Sequence, residues 1–366
     1  MKVLKGIRVA GLIAALVVLL IPSSWLPVSA GASNSGAVRI GYFANITHAP
    51  ALIARQQGLF EKQLGDTAIE YSVFSVGTAA VEALKGGALD IAYIGPNPAI
   101  SGYSTTQQTL LRIVSGATAG GAKFVVRPDL IATPGAPTAE EIAALAGNLF
   151  ATPGLGGTQD VALRSYLKQH GIALGTGRDQ VAIAPSDNST TLSLFQKGEI
   201  AGAWVPEPWA TRLQLEGNAE IFVDEASLWD DGKFATTNIV VSQKFLAERP
   251  ALVRQILLAN NAAISFLNEP SNEATAKELV QEELLARTGK KLTQATIDGA
   301  WGSLSFSADP VAASLRQNFI HGVEAGVLRG SPSAKEISGI YDLRILNTLL
   351  KQANSAQVSA DGLGKE

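Results

Sequence analysis

The chain is 366 residues long and 46% hydrophobic, with 29 Lys and Arg against 32 Asp and Glu, three His and no Cys. That length and apolar content are enough for one large packed core or two smaller ones. The absence of cysteine excludes disulfides, thiolate catalysis, zinc–thiolate centres and a cysteine-linked lipid anchor, and three histidines are too few for a histidine-rich metal site.

Residues 1–32 have the pattern of a signal peptide. Lys2, Lys5 and Arg8 precede an apolar run over 9–21, and small residues then offer cleavage after Ala30 or Ala32. The run is short for a bilayer span, so export to the periplasm with removal of the leader is expected. Its loss takes three positive charges, leaving 26 basic residues against 32 acidic ones. An acidic chain without a basic patch excludes nucleic acid and anionic membrane surfaces as partners.

Residues 38–127 predict the first part of a lobe. Strands at 38–43, 69–74 and 91–94 alternate with helices at 50–62 and 78–85, a succession that implies a parallel α/β sheet. Strands at 111–114 and 123–126 follow, around a Gly-rich turn at 115–121. The Pro/Ala/Gly-rich stretch 128–137 reads as a passage into a second lobe, residues 128–234. There the succession repeats, with strands at 149–151, 181–184 and 203–205 and helices at 160–169 and 190–197. After a strand at 221–224, the alternating segment 234–241 predicts a return to the first lobe. Residues 235–354 complete that lobe and are largely helical beyond Lys244, with Pro250 and Pro270 marking boundaries. The tail, 355–366, lacks apolar periodicity and is expected to be disordered.

One phrase occurs twice. GALDIAYIGPNP at 87–98 and GEIAGAWVPEP at 198–208 each read as a short buried strand that enters after a Gly and ends in a Pro-x-Pro turn. Two similar α/β lobes are therefore expected, with strand-end loops facing each other across a cleft suited to a small molecule.

Those loops are rich in Gly, Ser, Thr and Asn and contain neither Lys nor Arg. Helix N-termini beside them offer unpaired amides and the positive end of the helix dipole, which bind an anion without a formal cation. Candidate donors are Asn45, Thr47, His48, Ser75, Thr78, Asn97, Thr118, Thr158, Gln159, Ser189 and Thr190. Taken singly, a Ser, Thr or Asn before a helix is more often a cap; convergence in one cleft is what raises their weight. His48 reads either as a neutral donor to an oxyanion or as a surface histidine. Glu207 reads either as a ligand contact, or as an acceptor of backbone hydrogen bonds or a partner of Arg212. Trp209 is a candidate pocket wall, whereas Tyr93 and Trp204 lie within strands and read as core. No Ser/His/Asp motif is present, and residues 154–157 lack the Lys and Ser/Thr of a phosphate loop. A binding protein without cofactor or metal is expected, not an enzyme.

The segments VRIGYFANITHAP (38–50), LDIAYIGPNP (89–98), GLGGTQDVAL (154–163), WVPEPWA (204–210) and FATT (234–237) together resemble the aliphatic-sulfonate, nitrate and taurine group of ABC-transporter periplasmic substrate-binding proteins. The resemblance implies a type II periplasmic-binding-protein fold, with two mostly parallel lobes joined by a hinge. It also implies a monomer that closes on a small anion, most readily an aliphatic sulfonate for sulfur metabolism, and docks to membrane permease subunits. It places the pocket at Asn45, His48, Asn97, Thr118, Gly120, Thr158, Gln159, Glu207, Pro208 and Thr236, beside Trp209. Thiamine-pyrimidine synthases share the fold and are the enzyme alternative, but they depend on a cysteine-rich iron motif that a chain without cysteine cannot supply.

Overall fold

The computed structural model describes residues 36–366, so the expected signal peptide lies outside the described residues. Fourteen strands are defined among them: β1 Val38–Phe43, β2 Ile69–Phe74, β3 Ile91–Ile94, β4 Leu111–Gly120, β5 Ala122–Val126, β6 Leu149–Thr152, β7 Ala173–Leu174, β8 Gln180–Pro185, β9 Gly202–Pro206, β10 Glu220–Asp224, β11 Ala235–Ser242, β12 Leu304–Phe306, β13 Tyr341–Asp342 and β14 Gly364–Lys365. They form two sheets. The first runs β14-β13-β4-β11-β3-β1-β2 with β12 against β4, and the second runs β10-β5-β9-β6-β8-β7.

The two sheets share one topological idea. In each, the first strand of a βαβαβ unit is central (β1, β6), the second lies outside it (β2, β8) and the third on its other side (β3, β9). All of these pairs are parallel. Next to the third strand lies an antiparallel one, β11 beside β3 and β5 beside β9. Each of those strands enters directly from the other half of the chain, so neither lobe is complete without it. The sheets are therefore mixed, with parallel pairs in the majority as expected and antiparallel ones where the chain crosses.

Two corrections follow from this arrangement. The first crossing falls at Gly120 and Gly121, before the expected passage at 128, and puts Ala122–Val126 in the second sheet. Both glycines have positive φ, +78° and +73°. A Cβ on Gly120 would stand 2.5 Å from the Ser303 carbonyl oxygen, so a side chain is excluded by strain and by space. The expected Gly-rich turn at 115–121 is instead the second half of β4. It is held as strand by β11 on one side and β12 on the other.

The expected disordered tail is also ordered. β14 pairs with β13, Ala360 and Leu363 are buried, and the Asn347 amide clasps Val358 by accepting from its N–H and donating to its carbonyl, both at 2.9 Å. The Asn347 clasp, the pairing along β13 and two buried side chains hold this segment where no apolar periodicity announces it.

The first lobe has one continuous core, which includes the helices Pro250–Asn268 and Glu273–Thr288. In the second, apolar clusters cover both faces of the sheet. One of them is aromatic: Phe124 stacks on Trp204 with centroids 5.4 Å apart, and Phe150, Tyr166 and Phe222 meet the Phe124 ring edge-on. Trp204 is fully buried, and its indole N–H donates to Glu225 at 2.6 Å. Trp204→Ala is expected to cost about 3–5 kcal/mol, because a large cavity opens in a small core. The check is a fall in the chemical-denaturation midpoint of the purified protein.

Candidate functional site

The carboxyl ends of β1, β2, β3, β6, β8 and β9 point toward one another, and between them lies a cavity of about 50 Å³. Asn45, Thr47, His48, Ser75 and Thr78 line it from the first lobe; Gly154, Thr158, Gln159 and Asn188 line it from the second; and Thr236 lines it from the crossing strand. None of its lining residues carries a formal charge.

Three helices begin at this cavity without a side-chain cap: Ala49–Gln56, Gly77–Lys85 and Thr158–Gln169. The amides of a helix's first turn have no intrahelical acceptor; Gly77–Lys85 and Thr158–Gln169 turn such N–H groups and their positive dipole ends toward the cavity, whereas at Ala49–Gln56 the Ala49 N–H already donates to the Ile46 carbonyl and Pro50 has none, so that helix offers chiefly its dipole. The helix Pro96–Thr105 contributes less, because Pro96 and Pro98 leave Asn97 as the one donor of its opening three residues. The helix Asn188–Gln196 is capped by Asp187, whose carboxylate accepts from the Ser189 and Thr190 amides, both at 3.1 Å, and from both hydroxyls at 2.6 Å. Ser189 and Thr190, expected as ligand donors, are thus committed to a cap. Asp160 fixes the loop at 154–157 by accepting the Gly156 N–H at 2.9 Å while paired with Arg164 at 2.9 Å.

Thr158 is buried and its Oγ1 has no hydrogen-bond partner. A Cβ on Gly95 would stand 2.5 Å from that oxygen, so glycine at 95 is what lets the second lobe approach the first. Asn188 Oδ1 is likewise buried and unpartnered. Such atoms cost about 1–3 kcal/mol each when left unsatisfied, and these two belong to residues that line the same neutral cavity. His48 stacks on Phe43 with centroids 4.6 Å apart, and its Nδ1 accepts the Phe43 N–H at a long 3.4 Å. Nε2 is then the ring atom left to donate. Burial pushes the imidazole pKa down to about 3, so the ring is neutral.

Comparison with known proteins matches this architecture. The model of the NMT1-like family matches residues 31–281. The chain belongs to that family. A Brucella abortus (strain 2308) protein named as a candidate binding protein is 31% identical over 284 residues, 74% of this chain and 81% of its own. The taurine-binding periplasmic protein of Escherichia coli (strain K12) is 26% identical over 206 residues, covering 56% of this chain and 59% of its own. Among solved structures, the alkanesulfonate-binding protein of Xanthomonas axonopodis pv. citri bound to MOPS aligns with a TM-score of 0.63 at 18% identity, over 82% of this chain and 96% of that one. The periplasmic nitrate-binding protein of Synechocystis PCC 6803 aligns with a TM-score of 0.63 at 16% identity, over 81% and 83%. The fold is that of the type II periplasmic binding proteins.

Of the expected site residues, Asn45, His48, Thr158, Gln159 and Thr236 come together around the small cavity. Thr236 also donates from Oγ1 to the Gly120 carbonyl at the crossing. Pro208 and Trp209 line an adjoining chamber instead, and Trp209 Nε1 donates across the cleft to Asn45 Oδ1 at 2.9 Å. Asn97, Thr118, Gly120 and Glu207 line neither space. Asn97 turns its Nδ2 to the Asn318 carbonyl at 3.2 Å, Thr118 is buried in mid-strand, and Gly120 serves the crossing.

Glu207 is fully buried against Lys123, Oε1 to Nζ at 2.8 Å, and accepts from the amide and hydroxyl of Thr211 at 3.1 and 3.0 Å. Arg212 pairs with Glu216 instead, at 2.6 Å. The Lys123 ammonium reaches on to Ser303 at 2.7 Å. Asn188 is the lining residue that the sequence pattern does not single out, standing one position after the capping Asp187.

Two expectations follow. Glu207→Gln removes the charge facing a buried lysine and should lower stability by about 3 kcal/mol or more; the double variant Lys123→Met/Glu207→Leu should recover much of it, as urea titration of both will read. For His48, the unfolded ring takes up a proton as pH falls through the ordinary histidine value of 6.5, and the folded ring only near 3. Its contribution to stability is therefore present above 6.5 and is lost as pH falls from 6.5 toward 3. His48→Gln should flatten that part of the pH–stability curve.

Proposed function

We propose that the chain is the solute-binding component of an ABC importer. In this reading the leader at 1–32 is removed on export, and the periplasmic protein captures a small organic oxyanion and presents it to membrane permease subunits without turning it over. The observation that carries the reading is the uncharged cavity of about 50 Å³, reached by three uncapped helix N-termini and two unpartnered buried oxygens. An anion is the ligand class that the helix starts and the Thr158 hydroxyl favour; Asn188 Oδ1 only accepts and calls for a donor on the ligand. A carboxylate or phosphate site built on Arg would be recognisable by its fork of donors, and no Arg or Lys lines this cavity.

An aliphatic sulfonate is favoured over nitrate because the cavity opens into a larger space walled by Trp209. Relatives named for taurine, alkanesulfonates and nitrate support the oxyanion class. Capture works by closure. Trp209 to Asn45, Glu216 to Lys290 at 3.0 Å, and Lys168 to the Glu324 carbonyl all join the lobes. Contacts available only with the lobes together let a ligand that binds both walls shift the population toward the closed form.

Calorimetric titration with methanesulfonate, hexanesulfonate, taurine, nitrate and sulfate tests the reading. Sulfonates should bind, and Thr158→Val should weaken them by about 1–3 kcal/mol, roughly tenfold or more in Kd. Binding of none of these anions, or equal affinity in the variant, would move the site elsewhere.

A further inference from the structure

The small cavity is not isolated. It shares Asn45, Ser75 and Asn188 with a chamber of about 630 Å³ that lies between the lobes. The larger volume lies within the range of small-molecule pockets, while the smaller holds only a few water-sized groups. If the small cavity takes the oxyanion head, as proposed above, any substituent must leave through those three shared residues into the chamber.

The chamber has a definite chemistry. Leu192, Trp209, Leu284 and Leu292 form apolar wall. Beside them the Arg212 guanidinium lies over the Trp209 ring, 4.4 Å from its centroid. Its Nε and Nη2 bond the Glu216 carboxylate at 2.6 and 3.0 Å, and its side chain is only 5% exposed. Arg212 Nη1 makes no hydrogen bond among the described residues. From the other lobe, Lys290 reaches the same carboxylate at 3.0 Å. Two cations therefore share one acid. The other acid on this wall, Asp187, spends both oxygens on Ser189 and Thr190 at a helix start, where the dipole offsets its charge.

We infer that the preferred ligand is bipartite: a sulfonate-type head in the small cavity, an apolar spacer along Trp209 and the leucines, and a second anionic group read by Arg212 and Lys290. The ligand class is thus a sulfonate bearing a distal carboxylate, in place of a plain alkanesulfonate, an amine-bearing one or a bare inorganic anion. Because Lys290 and Glu216 belong to opposite lobes, the distal group also completes a charge network that exists only when the lobes are together. Specificity and closure would then be set by the same side chains.

The test is calorimetric titration of the full mature chain with four probes: methanesulfonate, butanesulfonate, homotaurine and 4-sulfobutanoate. 4-Sulfobutanoate is expected to bind about tenfold more tightly than butanesulfonate at low salt, with the gap narrowing as salt rises. Lys290→Glu, at a half-exposed position where folding is not at risk, should cost 4-sulfobutanoate at least severalfold more than methanesulfonate and move the preference toward homotaurine. Equal affinity for 4-sulfobutanoate and butanesulfonate, or a Lys290→Glu variant that shifts all four probes alike, overturns the inference while leaving the oxyanion head site standing. Failure of all four to bind sinks the head site itself.

Discussion

A helix that starts at a cleft starts with amides its own backbone cannot satisfy, and the organisation of this protein follows from where those amides are sent. In a βαβ unit the helix begins at the carboxyl end of the preceding strand. Two such units facing each other therefore aim their uncapped helix starts at common ground. Elsewhere some helices spend side chains on this problem, as where Thr138 and Glu141 form a reciprocal capping box and Ser242 and Thr293 cap their helices, while others such as Pro250–Asn268 and Glu273–Thr288 do not. At the cleft, positions 48, 76 and 157 are His, Val and Gly, and none of them caps. An uncapped start costs stability unless something else supplies the acceptor.

Bringing the two sets of helix starts together requires the lobes to be joined without being fused. The exchanged strands β5 and β11 do this by knitting each lobe's sheet from both halves of the chain. Lys123 on β5 meets Glu207, which follows β9, and also Ser303, just before β12 of the other sheet. A buried pair of this kind is weak support for stability in itself. Its position next to Gly121 gives it another role: it ties the end of β9 to the start of β5 beside the crossing.

The duplication was legible because it is written in local chemistry. The phrases at 87–98 and 198–208 became β3 and β9, which occupy equivalent places in the two sheets. Asn45, His48, Thr158 and Gln159 were legible for the same reason, since each lies where a strand ends and a helix begins. What was hidden depended on partners far along the chain. Residues 115–120 are small and polar and read as a turn; they are strand because β11 and β12 bracket them and the Asp309 carbonyl lies where a Cβ on Gly116 would be, 2.2 Å away. Glu207 could not be separated from a ligand contact because its lysine is distant in sequence, and the tail was opaque because two buried residues carry no period.

The same contrast bears on the electrostatics of the cleft. Near the small cavity every residue is neutral, and the one titratable ring, His48, is kept uncharged by burial. In the adjoining chamber the charges are explicit: Arg212 and Lys290 share the Glu216 carboxylate, and Asp187 caps a helix beside them. Dipoles act at short range and demand contact, whereas formal charges act farther but are screened by salt. The cleft is thus divided between a neutral region, placed by strand ends and helix starts, and a charged one, carried by side chains of both lobes.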